Sequence, residues 1–410
     1  MISGENEQHP AAKPFFKLSP RRSAALGYFG STIVFGLVSA ALGPTLPMLA
    51  EHVNTGLSQI SLIFTAQATG YLLGSFFGGR LFDRLPGNRL LSLVLGCMAV
   101  LTFLIPVVSF YWLLIAIFLL VGTMMGSMEV GVNTLLVWLM GKRVGPYMNA
   151  LHFFFGVGAF ISPLIVARAL AASWEIRWVY WLLALTAIPV AIWLGRLSGP
   201  KAPAGAANSR ISHANYLLVT LLSILLFLYV AAEVSYGGWI FTYTVGQFGT
   251  DVEATAAILT SAYWGALTFG RLVSIPLAVR IKPSMFLIGD LIGCLLSIGL
   301  IAVYPNSMTA LWVGTLGLGF SMAAFFPTTV TYAGQRMQLN AKISGWLFVG
   351  AGAGGMVLPW LIGQLFEVSG PDVVITLIFA DLLIALGVLA VVLLLPVRAT
   401  QPVAQAADGD

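Results

Sequence analysis

Charge is what this sequence has least of. Only 9% of its 410 residues are Asp, Glu, Lys or Arg, against 59% hydrophobic residues, and the mean hydropathy is +0.93. No water-soluble globule carries that composition, so the solvent has to be a lipid bilayer. Also missing is the alternating pattern, over segments of about 10 residues, that a transmembrane barrel needs. The apolar runs are continuous, which leaves packed helices. Cysteine is nearly absent: Cys97 and Cys294 both fall inside apolar runs, far from any thiol or histidine at metal-ligand spacing, and read as small core residues. The net charge of +5 comes without a basic patch interleaved with aromatics, which excludes nucleic acid as a partner. No Walker-type Gly-Lys-Ser, nucleophile elbow or paired carboxylate at catalytic spacing in a loop is present. Enzymatic chemistry is therefore excluded, and no cofactor or metal is expected. A cleavable leader is not expected either, because the first apolar run, starting near Ala24, is far too long for one; Ser19-Pro20-Arg21-Arg22 reads as its basic flank.

What the chain has in quantity is apolar length. Twelve stretches of about 20 residues, bounded by charges, Pro or Gly, lie near 24–50, 58–83, 89–108, 111–139, 146–170, 177–197, 215–246, 254–279, 284–304, 308–333, 342–366 and 373–396, and are numbered here as helices 1 to 12. The 44 glycines and 20 prolines suit membrane helices, which tolerate both and use glycine to bring backbones together. The one long polar, Gly/Pro/Ala-rich interior stretch runs from Ser198 to Arg210. The expected organisation is an N-terminal tail (1–22), a six-helix bundle (23–198), a linker (199–213), a second six-helix bundle (214–397) and a C-terminal tail (398–410). With the N-terminus in the cytoplasm and loops alternating sides, all of the 20 basic residues fall inside except Arg168 and Arg177, which fall outside, and Arg271, which lies within a span. The positive-inside rule then places both termini in the cytoplasm, across a plasma (inner) membrane. The halves also repeat each other. At an offset of 191 residues Gly74, Gly79, Arg80, Leu81 and Arg89 meet Gly265, Gly270, Arg271, Leu272 and Arg280; at 196 residues Gly156, Gly158 and Pro163 meet Gly352, Gly354 and Pro359. Two parallel halves related by an axis along the membrane normal are an architecture of carriers that rock.

The loop between helices 2 and 3 reads Gly79-Arg80-Leu81-Phe82-Asp83-Arg84-Leu85-Pro86-Gly87-Asn88-Arg89. It resembles the hallmark of the major facilitator superfamily, one residue longer than usual between Asp-Arg and the final Gly. In this motif Gly79 is expected to let helix 2 pack closely, while Asp83 forms ion pairs with Arg84, Arg89 and their neighbours that break as the halves rock. Three further stretches, Glu129 to Asn133, Met148 to Phe160 and Ala232 to Tyr243, are similar to the sugar-carrying branch that includes fucose permeases and sodium-dependent glucose transporters, as is Trp264 to Leu272. The resemblance implies an all-α fold of twelve transmembrane helices in two pseudo-symmetric bundles. It implies secondary active transport of a small polar solute, foremost a sugar or sugar-like compound, by alternating access coupled to a proton or sodium gradient. An exporter of amphiphilic compounds and a membrane receptor that binds a solute without moving it are the alternatives. One departure matters: fucose permeases carry an acid in helix 1, and no charged residue lies between Arg22 and Glu51 here.

Ionisable residues inside a bilayer are costly and therefore functional candidates. Glu129 and Asn133 share a face of helix 4 and lie at a depth matching Asn149 and His152 of helix 5, so a polar cluster is expected in the inner half of the first bundle, with Glu129 foremost for ion coupling. On helix 7, Glu233 and Tyr236 share a face, Gly237-Gly238 loosens the helix beyond them, and Trp239 and Tyr243 follow within two turns. A carboxylate beside flat aromatic faces suits a pyranose, which makes Glu233 the first candidate for solute contact and the second for coupling. Gln67 and Tyr71 on helix 2 and Trp264 on helix 8 are further solute contacts. Arg271 and Asp290 are expected to neutralise each other as a structural pair, and Asp381 is read as structural.

Overall fold

A backbone in hydrocarbon has to pair its own N–H and C=O groups, so each continuous apolar run closes into a helix. The computed structural model describes residues 19–200, 216–337 and 341–395; the expected tails, apart from residues 19–22, and the linker from residue 201 lie outside the described residues. The helices are α1 Pro20–His52, α2 Leu57–Arg84, α3 Gly87–Leu104, α4 Tyr111–Met140, α5 Val144–Ala171, α6 Ile176–Gly195, α7 Tyr216–Phe248, α8 Glu253–Ala278, α9 Pro283–Val303, α10 Met308–Arg336, α11 Ala341–Ser369 and α12 Val373–Leu394. Among the described residues eleven of them are long and apolar enough to cross a membrane on composition alone. The exception is α8, whose Thr260, Ser261, Tyr263, Trp264, Thr268 and Arg271 dilute its hydropathy. A helix that polar needs protein or water on several sides.

Local signals fix the ends and the breaks. The Ser19 hydroxyl accepts the Arg22 N–H (3.4 Å) and Pro20 occupies the first turn of α1, where its missing N–H costs nothing. Ser307 caps α10 in the same way through Ala310 N–H (3.2 Å). Within α10 the helix is interrupted between Met322 and Phe325, four residues ahead of Pro327, whose ring cannot share space with the carbonyl of residue 323.

Side-chain size decides which helices touch. On α2 and α4, a Cβ added to Gly70 or Gly74 would collide with the carbonyls of Leu119 or Thr123, and one on Gly122 or Gly126 with those of Gln67 or Tyr71. The two helices therefore meet backbone to backbone, the contact small residues permit in membranes. Gly79 plays no such part: a Cβ there would meet only Val130 at 3.7 Å, so the close approach expected at Gly79 falls on Gly74 and Gly78. The sequence repeat has a structural meaning. Gly158 packs on Ile33 of α1 and Gly354 on Phe227 of α7, while Gly156 packs on Thr268 of α8 and Gly352 on Leu72 of α2. Thr268 and Leu72 are themselves separated by the same 196 residues as the glycines. One contact, used twice, joins each half to itself and to the other half. Cys294 is buried as expected, but Cys97 is exposed on α3, on the outer wall of the bundle.

Two glycines differ enough to test this packing. Gly122→Val should destabilise the protein by several kcal/mol, because the backbone of α2 leaves no room for the side chain. Gly96→Ala, with nothing within 4 Å of the new Cβ, should leave stability within about 0.5 kcal/mol. Melting curves of the detergent-purified variants check both; equal losses would disprove the backbone contact.

A cavity with three charges between the two halves

The arginine-rich loops, including Arg84, Arg89, Arg143, Arg280 and Lys282, lie at one end of the bundle, and Glu51, Glu175 and Asp372 at the other. At the acidic end the first six helices are stitched to the last six. Glu367 of α11 accepts the Leu57 N–H at the start of α2 (2.7 Å), and Gln364 exchanges hydrogen bonds with Ser58, accepting from its hydroxyl (2.9 Å) and donating to its carbonyl (2.7 Å). Deeper along the same seam the Thr65 hydroxyl donates to Met356 O (3.0 Å), and on the opposite side Ser261 of α8 donates to Phe160 O of α5. Trp239 closes the middle, packed on Phe64 of α2 (6.0 Å between ring centres) and on Phe366 of α11 (5.5 Å). Among the described residues every hydrogen bond between the two sets of helices belongs to this half of the molecule. Towards the arginine-rich end no hydrogen bond joins the two sets among the described residues, and Glu129, Asn149, His152, Glu233 and Arg271 keep exposed surface, which marks an opening between the halves.

Three charges line that opening. Glu129 of α4 accepts a hydrogen bond from the Tyr71 hydroxyl of α2, and Asn133, one turn on, donates to the Glu129 backbone carbonyl (2.8 Å), its amide oxygen having no hydrogen-bond partner among the described residues. Glu233 of α7 faces Arg271 of α8 at 3.7 Å; their side chains retain 14% and 24% exposure, so water reaches both. Tyr263 donates to the Glu233 backbone carbonyl (3.2 Å) and Tyr229 lies beside its carboxylate. The Arg271 charge also acts across the gap on Glu129 and on His152. Gln67, one turn from Tyr71, is half-buried with its amide N–H on Met125 Sδ (3.2 Å), and Asn149 and His152 of α5 are exposed.

These positions correct the expected Arg271–Asp290 pair and show where the other candidate residues lie. Arg271 pairs with Glu233, not with Asp290; the Asp290 carboxylate is buried with one oxygen lacking a partner, as is that of Asp381. The reason is which helices are neighbours: α8 packs on α5, α7 and α10 and not on α9, so Arg271 meets Glu233 of α7. The helix 4 to helix 5 cluster is not hydrogen-bonded as such, since Glu129 is held from α2. Tyr236, Trp239 and Tyr243 are all fully buried. The Tyr236 hydroxyl is shared with Thr315 (2.6 Å) and the Trp239 N–H is given to Pro359 O (3.0 Å), so in this conformation none of the three reaches the cavity. Trp264 is buried beside Gly237 and Phe155 with its indole N–H unpartnered. In the 79–89 loop Asp83, Arg84 and Arg89 are exposed and no ion pair forms among the described residues. Arg80 instead lies over the Phe76 ring, 3.9 Å from its centre. The loop's anchor is Asn88, which accepts from Tyr28 (2.7 Å) and donates to the carbonyls of Leu197 (3.3 Å) and Ser198 (3.2 Å). Asn88, Ser58, Gln364 and Glu367 carry no signal in a single sequence beyond being polar near a helix end.

Residues 28–349 match the family model of the Major Facilitator Superfamily. The chain belongs to this superfamily. Within it, the chain is 31% identical over 375 residues to mouse sodium-dependent glucose transporter 1A, covering 82% of this chain and 88% of that protein. It is 32% identical over 358 residues to the Xenopus laevis sodium-dependent glucose transporter 1, covering 80% and 72%. Human major facilitator superfamily domain-containing protein 4A is 25% identical over 445 residues, covering 84% and 86%. Among solved structures the fold resembles the nucleoside transporter NupG (TM-score 0.70, 11% identity, 92% and 98% of the chains) and a bacterial homologue of the lysosomal transporter Spinster in an inward-facing, occupied conformation (TM-score 0.73, 14% identity, 92% and 97%). This facilitator is a multi-pass membrane transporter of small solutes and not an enzyme.

If the seam is the closed gate, weakening it opens the other face. Gln364→Ala combined with Glu367→Ala removes hydrogen bonds worth about 1 kcal/mol each, so each lost bond should shift the conformational equilibrium about fivefold. A cysteine placed at Ala68 in a background lacking Cys97 and Cys294 should then react faster with an impermeant thiol reagent added at the acidic end. Unchanged reactivity would remove the seam from the gate.

Proposed function

We propose that this facilitator carries a sugar or sugar-like solute in symport with sodium, and that its arginine-rich end faces the cytoplasm. One observation carries the coupling: two carboxylates, Glu129 and Glu233, face one guanidinium, Arg271, in a water-reached cavity, leaving one negative charge in excess. A hard monovalent cation seeks oxygen ligands, and the Glu129 carboxylate with the free amide oxygen of Asn133 offers two on one helix face. The choice of sodium over protons is supported by the names of the relatives. The excess of Lys and Arg in the loops of one end supports the orientation and cytoplasmic termini, and with it an inward-open conformation. The division into bundles at 23–198 and 214–397, joined by a linker at 199–213, belongs to the same reading.

The solute then occupies the space between Gln67, Asn133, Asn149, His152 and Glu233, a set of donors and acceptors suited to hydroxyl groups. Trp264 fits the ceiling of this space, because an unpartnered indole N–H beside an aromatic face is satisfied by a sugar hydroxyl packed against it. Tyr236, Trp239 and Tyr243 enter contact as the seam opens, and the Asp83 loop engages as the arginine-rich end closes.

Vesicles loaded with hexose test the proposal. Glu129→Gln should abolish sodium-driven accumulation while solute exchange continues, since exchange needs binding and rocking without net ion movement. The expected loss of accumulation is at least about tenfold, the factor that about 1.4 kcal/mol of coupling energy represents. Accumulation surviving in Glu129→Gln under an imposed sodium gradient would return the helix 4 carboxylate to a structural role.

A further inference from the structure

Arg271 stands on the inner edge of the contact between the halves. Gly156 of α5 meets Thr268 of α8; one turn towards the arginine-rich end, His152 follows Gly156 and Arg271 follows Thr268. The guanidinium is loosely held. Its contact with Glu233 is 3.7 Å through one nitrogen, and among the described residues it donates no hydrogen bond, although its charge reaches Glu129 and His152 in the other half. The charged and titratable groups around it are Glu233, Tyr229 and Tyr263 from the last six helices and Glu129, Tyr71 and His152 from the first six. Of these, the two carboxylates and Arg271 are the groups that ordinarily carry charge at neutral pH.

We propose that Arg271 sets the cation count of the cavity: it neutralises Glu233 within its own half and leaves the Glu129 carboxylate to be matched by a single monovalent cation. The inference rests on the coupling reading of Glu129 and adds to it a role for a residue that need not touch the solute. The physical reason is the closing step. When the arginine-rich end shuts, the cavity loses water, and an uncompensated charge in a low dielectric costs several kcal/mol. The cavity therefore closes readily only when its net charge is zero. With Arg271 present, one bound cation achieves that; without it, two are needed. Arg271 is in this sense a positioning residue for the ion site.

Sodium binding without solute, read as sodium-dependent thermal stabilisation of full-length protein in lipid nanodiscs with choline as the replacement ion, separates the outcomes. Wild type should saturate with a Hill coefficient near 1. Arg271→Gln should bind sodium at least about tenfold more tightly, with a Hill coefficient above 1, because a competing positive charge has gone and a second carboxylate is free. Arg271→Lys should return both values towards wild type, which a purely structural arginine would not predict. Glu233→Gln supplies an independent arm: with its partner removed, Arg271 turns to Glu129 and the sodium response should weaken at least about tenfold. Glu233→Gln together with Arg271→Gln should restore the single-ion response. Should Arg271→Gln fail to fold, Glu233→Gln alone still decides the matter. A wild-type response to sodium that neither Arg271→Gln nor Glu233→Gln alters would overturn this inference and leave the coupling reading intact. A wild-type protein indifferent to sodium would overturn both.

Discussion

Hydrocarbon offers a backbone nothing to bond with, and this constraint shapes the whole molecule. Because every helix satisfies its own N–H and C=O groups, helices are rigid units whose packing depends on how closely they can approach. The approach is set by glycine: Gly70, Gly74, Gly122 and Gly126 bring α2 and α4 to backbone contact, and Gly158 and Gly354 do the same for α5 on α1 and α11 on α7. Lipid competes equally for apolar side chains, so such contacts, together with buried hydrogen bonds, supply most of the specificity. Rigid helices held this way give two halves that move as bodies. Function is left to the space between them.

That space is polar for a reason traceable to individual residues. A charge inside a span persists only if it meets water or an opposite charge; Glu233 and Arg271 meet both, and Glu129 keeps partial exposure beside the Tyr71 hydroxyl. Asp290 and Asp381 show the other outcome, each buried among helices of the second half with an unpartnered oxygen, away from the cavity. Depth alone therefore does not bring an acid to the gap between the halves. The neighbours of its helix do.

How much of this is legible in the sequence follows from what each signal encodes. Span positions are legible because hydropathy is a property of consecutive residues; the twelve expected stretches match the observed helices to within a few residues at each end, for instance 146–170 against Val144–Ala171. The repeat between Gly156 and Gly352 is legible too, since it survives as identity at a fixed offset. Helix neighbourhood is not. Arg271 and Asp290 lie at similar depth on consecutive helices, yet α8 packs on α5, α7 and α10 and not on α9, so the guanidinium goes to Glu233. The aromatic run Tyr236, Trp239 and Tyr243 reads correctly as a feature of helix 7, but its burial depends on which end of the molecule is closed, a property of the conformation and not of the residues. The seam residues are the least legible, because Ser58, Gln364 and Glu367 are ordinary polar side chains at helix ends until two distant segments bring them together.

The composition of that seam bears on how the transporter moves. Its polar contacts are hydrogen bonds from Leu57, Ser58, Ser61, Thr65, Ser261 and Gln364, and among the described residues no ion pair crosses it. Each bond contributes about 1 kcal/mol net, so their sum is a few kcal/mol, offset in part by the contacts that form at the opposite end when the halves rock. A seam of buried ion pairs would be a poorer choice, since breaking one strands a charge at a cost of about 3–5 kcal/mol. On the proposed reading, a seam without ion pairs lets the two closed states lie within a few kcal/mol of each other, the range in which one cation and one solute, binding the two states with different affinity, reverse the balance. The one carboxylate of the seam, Glu367, is exposed and bonds a backbone N–H, so opening the seam strands no buried charge.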